Sequence, residues 1–241
     1  MAFEDVEAFP VTDFSPFEDK AIRRGFIRKV FTILAAQLSV LTAMVVTTMF
    51  TDDIRVYLQD PDNLDVTLFL FIGSIVVYFV CTILLICVAD LRKKYPTNLI
   101  ILFIFTISSA IFISIACTFY TIDSVMLALG ITFLCCVGIF VFSFNTKYDL
   151  SSCHGLVFCL LWGLLLTFLL MPIPYGSTSN KVFAGIGAII FMFVLVYDIH
   201  RVMGRSTENA LSPEEYIVGA LEIYLDIINI FIRILQIVGQ R

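Results

Sequence analysis

The sequence predicts an all-α membrane protein in which seven transmembrane helices form a bundle. Of its 241 residues, 60% are hydrophobic and only 15% are charged, and the mean hydropathy is +0.99. A water-soluble globule could not bury that much apolar surface. The apolar residues also fall in runs of about 20, the length that a helix needs to cross a hydrocarbon core about 30 Å thick.

Each apolar run predicts one helix, and the loops between runs are too short to hold a soluble domain. The predicted crossings are 30–50, 67–89, 98–120, 124–144, 155–175, 180–200 and 214–238. Residues 20–241 therefore form one membrane domain. Residues 1–19 contain six acidic residues, no basic residue and no apolar core. We expect this segment to be a flexible cytoplasmic tail and not a signal peptide.

Basic residues predict the orientation, because short cytoplasmic loops are enriched in Lys and Arg. Eleven of the fifteen basic residues lie before the first helix or in the connections after the second, fourth and sixth helices. The opposite connections contain only Arg55 and Lys181. We therefore expect the N-terminus in the cytoplasm. If the seventh segment crosses, Arg241 lies on the far side.

The sequence predicts no cofactor and no nucleic-acid partner. Its seven cysteines include no Cys-x-x-Cys pair, and His154 and His200 have no further ligand at metal-binding spacing. The acidic residues cluster in the tail and in residues 51–65, and no basic patch indicates nucleic-acid binding. Membrane lipid is the partner that the composition itself predicts.

The last predicted helix carries four residues that are costly to place in hydrocarbon, namely Glu222, Asp226, Asn229 and Arg233. Their spacings of four, three and four residues place them on one face of the helix. Lipid cannot cover this polar stripe at tolerable cost. The helix should therefore lie inside the bundle, with the stripe facing protein or a water-filled path.

Asp198, at the end of the sixth apolar run, is the candidate partner of Asp226. Two carboxyl groups that lie close together in a poorly solvated site tend to share one proton and to titrate as a unit, so they could act as a pH sensor. They would bind Ca²⁺ only weakly, because Ca²⁺ prefers about six to eight oxygen ligands. A simpler arrangement stays open, in which Asp198 caps its helix and Asp226 hydrogen-bonds a neighbour.

Four stretches of the chain carry a resemblance to a known family. They are "IRRGFIRKVFTILAAQLSVLTA" (22–43), "RKKYPTNLIILFIFTIS" (92–108), "VYDIHRVMG" (196–204) and "SPEEYIVGALEIYLDIINIFIRILQIVG" (212–239). With these stretches in this order, residues 20–240 resemble the transmembrane BAX inhibitor motif family, in particular its lifeguard branch.

The resemblance implies a bundle in which six helices surround the last one, located in Golgi or endoplasmic reticulum membranes. It further implies a pH-sensitive Ca²⁺ leak channel that lowers luminal Ca²⁺ and inhibits apoptosis. By motif, the di-aspartyl sensor of the family falls on Asp198 and Asp226, and a basic latch falls on Arg92. Glu222 and Arg233 depart from the residues expected in relatives. An extra acid would attract cations, and an extra arginine would oppose them.

Two functions follow as hypotheses from different classes. The first is the Ca²⁺ leak, with Ca²⁺ as the transported ion. The alternative is a non-conducting membrane regulator of apoptosis that binds apoptosis regulators or other membrane proteins. An enzyme is not expected: Tyr197-Asp198 resembles the first motif of intramembrane aspartyl proteases, but "YLDII" lacks their Gly-x-Gly-Asp motif. A seven-helix receptor is disfavoured by the predicted cytoplasmic N-terminus.

Overall fold

The computed structural model describes residues 20–146, 177–204 and 211–240, and these residues form helices without any strand. The predicted tail (1–19) and the predicted fifth crossing (155–175) lie outside the described residues. In chain order the helices are α1 (Lys20–Phe50), α2 (Asp52–Gln59), α3 (Leu64–Cys87), α4 (Ala89–Lys93), α5 (Thr97–Thr118), α6 (Ile122–Asn145), α7 (Ser177–Val202) and α8 (Tyr216–Val238). A short 3₁₀ turn, Pro61–Asn63, precedes α3.

Five of these helices, α1, α3, α5, α6 and α7, are long and apolar enough to cross a membrane. Each contains most of one predicted crossing. Large apolar side chains point outward from them, among them Phe69 on α3 and Phe133 and Leu134 on α6. Such surfaces are stable where hydrocarbon covers them, and a helix satisfies its own backbone hydrogen bonds there. The chain is therefore a multi-pass membrane protein.

Helix α8 differs from these five because it carries Glu222, Asp226 and Arg233 within its apolar sequence. It contacts α1, α3, α5, α6 and α7. Its 23 residues correspond to a length of about 34 Å. The helix runs alongside α5: Asn98 Nδ2 lies 3.5 Å from Tyr216 Oη at one end, and Thr121 N donates to Gln240 O at 3.0 Å at the other.

Buried polar and aromatic contacts fix α8 against α5. The hydroxyl groups of Tyr224 and Ser109 are hydrogen-bonded at 2.8 Å, and both residues are fully buried. The ring of Phe105 packs edge-on against Tyr224 and stacks on Tyr78 of α3. The hydroxyl groups of Tyr224 and Ser109 thus satisfy each other, as buried polar groups require.

The end of α7 and the start of α8 approach closely because of two glycines. Gly204 has a φ of 60°, a conformation that favours glycine. It turns the chain away from the axis of α7, which ends at Val202. At Gly219 a Cβ atom would lie 2.9 Å from Cγ2 of Val202, so no larger residue fits without a shift. This close approach brings together the charged residues of the two helices.

Alanine substitutions at Leu221 and Leu134 test the packing of α8. Leu221→Ala should lower the stability by about 2–5 kcal/mol, because it leaves a cavity at a fully buried position. Leu134 is 69% exposed on α6, and Leu134→Ala should change the stability by less than about 0.5 kcal/mol. The thermal unfolding midpoint of the purified protein in detergent measures both effects. Equal shifts would contradict the burial of α8.

Candidate functional site

The candidate site lies between the last two turns of α7 and the first three turns of α8. Asp198 and Arg201 are three residues apart on α7, and Glu222 and Asp226 are four residues apart on α8. Both spacings place a pair of side chains on one helical face. Since the two helices run antiparallel, Asp198 faces Asp226, and Arg201 faces Glu222 one turn closer to the helix ends.

The carboxyl groups of Asp198 and Asp226 lie within hydrogen-bonding reach of each other. The two residues are 7% and 4% exposed, respectively. A hydrogen bond between two carboxyl groups requires that one of them carries a proton, because ionised carboxylates only accept. The second oxygen of Asp226, Oδ2, is buried and has no hydrogen-bond partner among the described residues. The two carboxyl groups are therefore positioned to share a proton between the two helices.

Arg201 and Glu222 form an ion pair immediately outside the carboxyl pair. Arg201 Nη1 lies 2.8 Å from Glu222 Oε1 and 2.9 Å from Oε2, so one nitrogen donates to both carboxylate oxygens. About a quarter of each side chain is exposed. Glu222 also lies within electrostatic reach of both Asp198 and Asp226. Arg201 offsets the negative charge that Glu222 adds beside the pair.

A second ion pair ties the start of α8 to the connection between α3 and α5. Arg92 Nη2 lies 2.8 Å from Glu215 Oε1, and Ser212 N donates to the other oxygen of Glu215 at 3.2 Å. Asn98 fixes the backbone beside this pair, since its Nδ2 donates to Arg92 O at 3.1 Å. Arg92, the residue predicted as a basic latch, thus forms its ion pair with the glutamate that immediately precedes α8 and not with either of the two aspartates.

The other two residues of the predicted stripe lie further along α8 and away from the pair. Asn229 Nδ2 donates to Leu225 O at 2.8 Å within its own helix. Arg233 Nη1 donates to Gln236 Oε1 at 3.3 Å, and its side chain packs over Gly187 of α7, where a Cβ would lie 3.1 Å from Nε. The stripe is therefore divided: Glu222 and Asp226 contact charged groups of α7, whereas Asn229 bonds its own backbone.

Arg201 and Glu215 belong to the site but were not predicted as site residues. The sequence separation of each residue from a predicted site residue already indicated its position. Arg201 follows Asp198 by three residues, and Glu215 precedes Glu222 by seven, so each lies on the same face as a predicted residue. Their roles require the antiparallel packing of α7 on α8 and the position of Arg92, which spacing within one helix does not supply.

The site has few ligands for a metal ion. Within residues 20–146, 177–204 and 211–240, no group of three or more His, Cys, Asp and Glu side chains is arranged to hold one. Two carboxyl groups provide fewer oxygen atoms than the six to eight that Ca²⁺ prefers. Asp198 and Asp226 alone would therefore bind Ca²⁺ only weakly.

Comparison with known proteins identifies the family. A family model described as inhibitor of apoptosis-promoting Bax1 matches residues 23–241. Protein lifeguard 3 of Homo sapiens is 34% identical over 245 residues, which cover 98% of this chain and 76% of that protein. Protein lifeguard 3 of Mus musculus is 33% identical over 93% of this chain and 72% of its own length.

A second type of lifeguard protein gives a similar match. Protein lifeguard 4 of Mus musculus is 32% identical over 215 residues, which cover 89% of this chain and 84% of that protein. The matched region includes every residue of the site described above. Together with the membrane helices, these matches show that the chain belongs to the transmembrane BAX inhibitor motif family, and that its relatives are lifeguard proteins.

Proposed function

We propose that this protein inhibits apoptosis as a pH-sensitive Ca²⁺ leak channel of the Golgi or endoplasmic reticulum membrane. The observation that supports this function best is the hydrogen-bonded pair of Asp198 and Asp226, buried between two helices. Release of Ca²⁺ from the organelle would lower the luminal store. The family description and the names of the relatives support a role in apoptosis.

The proposed topology has seven spans, a cytoplasmic N-terminus and α8 at the centre. Contacts of α8 with α1, α3, α5, α6 and α7 support the central position. The bundle end that contains Arg92, Lys93, Lys94 and Arg201 is the basic end, and basic residues favour the cytoplasmic side. Asp198 and Asp226 would then lie just inside the cytoplasmic mouth, beneath the two ion pairs.

The shared proton acts as the gate. With the proton present, its hydrogen bond joins α7 to α8 and the path between them is closed. When the proton is lost, two negative charges about 4 Å apart repel each other by about 4 kcal/mol at an effective dielectric constant of 20. This repulsion favours separation of the helices and also attracts a cation. Flux should therefore rise with pH and fall as the pair regains its proton.

The alternative is a non-conducting regulator that binds other membrane proteins or apoptosis regulators. A specific observation favours it. Beyond Asp226, the interior-facing residues of α8 are mostly apolar, with Ile230, Ile234 and Leu235 all buried. Arg233 is buried in the same stretch. An apolar interior that contains an arginine would resist the passage of Ca²⁺, since a desolvated ion is costly to place there.

Neutralising either aspartate should remove the pH dependence of Ca²⁺ flux. Asp198→Asn and Asp226→Asn each leave one carboxyl group that no longer shares its proton with a second. Flux of Ca²⁺ into liposomes that contain only the purified protein, measured from pH 5 to 8, tests this expectation. Asp53→Asn is the matched control, because Asp53 is exposed on α2, and it should keep the wild-type curve.

The same liposomes separate the two proposed functions. Wild-type flux that rises with pH, together with flat curves for both aspartate variants, supports the gate. A folded wild-type protein that conducts at no pH would instead support the non-conducting regulator. In cells, protection from apoptosis that persists in Asp226→Asn would also support the regulator, provided that this variant has lost the pH response.

The ion pair of Arg201 and Glu222 should set the charge at the mouth of the path, so the two neutral variants should act in opposite directions. Glu222→Gln leaves an unpaired arginine and should lower Ca²⁺ flux. Arg201→Gln leaves an unpaired glutamate and should raise it. A change of roughly tenfold in each direction is expected at low ionic strength, because local charge concentrates or repels the permeating ion.

The exchanged pair provides the control for this prediction. Arg201→Glu combined with Glu222→Arg restores one positive and one negative charge and should return the flux toward the wild-type value. The effect of each single variant should also shrink at high salt, which screens partly exposed charges. Flux that falls equally in both single variants would indicate a purely structural role for the ion pair.

A further inference from the structure

A groove of about 320 Å³ lies between α1 and α6 and reaches down to α8. Phe31 of α1 closes one end of it through ring contacts with Phe140 and Phe144 of α6, whose ring centroids lie 5.4 and 6.1 Å away. Beyond this contact the two helices are separated. The groove walls include Leu38 and Leu41 on one side and Leu129, Thr132 and Cys136 on the other.

The groove leads from the outer surface of the bundle to its interior. Its rim includes Thr42 of α1 and Phe133 and Val137 of α6, all of which are exposed. Three buried residues of α8 form its floor. Ile227 is 6% exposed, Ile228 is 1% exposed and Phe231 is 3% exposed. A molecule that touches this floor must therefore enter between α1 and α6.

The chemistry of the lining excludes water and ions as the natural contents. The lining residues carry no charge, and most of them are aliphatic or aromatic. Apolar cavities of this kind stay dry, and an empty cavity forfeits the dispersion contacts of its walls. The volume lies at the lower end of the range of about 300–1,000 Å³ that is typical of ligand sites.

The surroundings of the groove determine what fills it. Both flanking helices, α1 and α6, are long and apolar enough to cross a membrane, and the groove lies along their middle parts. Among residues 20–146, 177–204 and 211–240 nothing covers the exposed rim residues, so the hydrocarbon of the bilayer can reach them. An acyl chain is flexible, unbranched and apolar, and it is present there at high concentration, whereas a folded protein segment would have to displace it.

We propose that this groove is a binding site for one acyl chain of a membrane phospholipid, which enters between α1 and α6 and rests on α8. The headgroup stays at the membrane surface, since the lining offers no charged partner for it. The floor residue Ile227 directly follows Asp226 in α8. An occupant therefore packs against the helix that holds one half of the carboxyl pair.

Photolabelling locates the acyl chain. The full-length protein is reconstituted in phosphatidylcholine liposomes that contain a phosphatidylcholine with a diazirine in its acyl chain. After irradiation, mass spectrometry of peptides identifies the labelled residues. Label is expected at residues 227–231 of α8, which are otherwise shielded from lipid. Absence of label there in the folded wild-type protein would overturn the proposal.

Variants at the rim test the route of entry. Thr42→Trp and Val137→Trp each place a large ring at the opening, and each should reduce the α8 label roughly tenfold, which corresponds to about 1.4 kcal/mol of binding free energy. Leu134→Trp makes a comparable change on the outward face of α6 and should leave the label unchanged. Unchanged label in both rim variants would overturn the proposal.

Discussion

In the proposed mechanism, the proton shared by Asp198 and Asp226 is the interaction on which the end of the bundle depends. Without it, two like charges would face each other in a dry space between closely packed helices. With it, the same two groups form a hydrogen bond that joins α7 to α8. Asp198 and Asp226 are 7% and 4% exposed, respectively, which leaves little access for water between them. Packing and protonation therefore depend on each other at this position.

The ion pairs around Asp198 and Asp226 leave the protonation state of these two carboxyl groups to determine the local charge. Arg92 is paired with Glu215, and Arg201 is paired with Glu222, so these four charges balance. In the proposed gate, the charge that remains to vary is that of the two aspartates, one negative charge with the shared proton and two without it. A single proton thus changes the local field substantially, and both ion pairs lie between that field and the end of the bundle.

The sequence predicted the helical class, the positions of most helices and the faces of α8, because these follow from hydrophobic run length and from the period of a helix. It also named Asp198 as the partner of Asp226, and the role of this pair stays a prediction. It did not predict that Arg92 meets Glu215 or that Arg201 meets Glu222. Those contacts join helices that are distant in sequence, so they depend on crossing geometry that a periodic pattern does not encode.

The two halves of α8 differ in the groups that they would present to a passing cation. In the half that contains Glu222 and Asp226, charged and hydrogen-bonding groups could replace part of the hydration of a cation. In the other half, Ile230, Ile234 and Leu235 are packed, and Arg233 lies over Gly187. Rotation of one side chain would not provide a hydrated path there. Conduction therefore requires α7 and α8 to separate along much of their length, and the carboxyl pair lies where a local repulsion can begin that separation. The groove between α1 and α6 borders the same helix, so the lipid beside it opposes or favours the movement according to how it packs on Ile227 and Ile228.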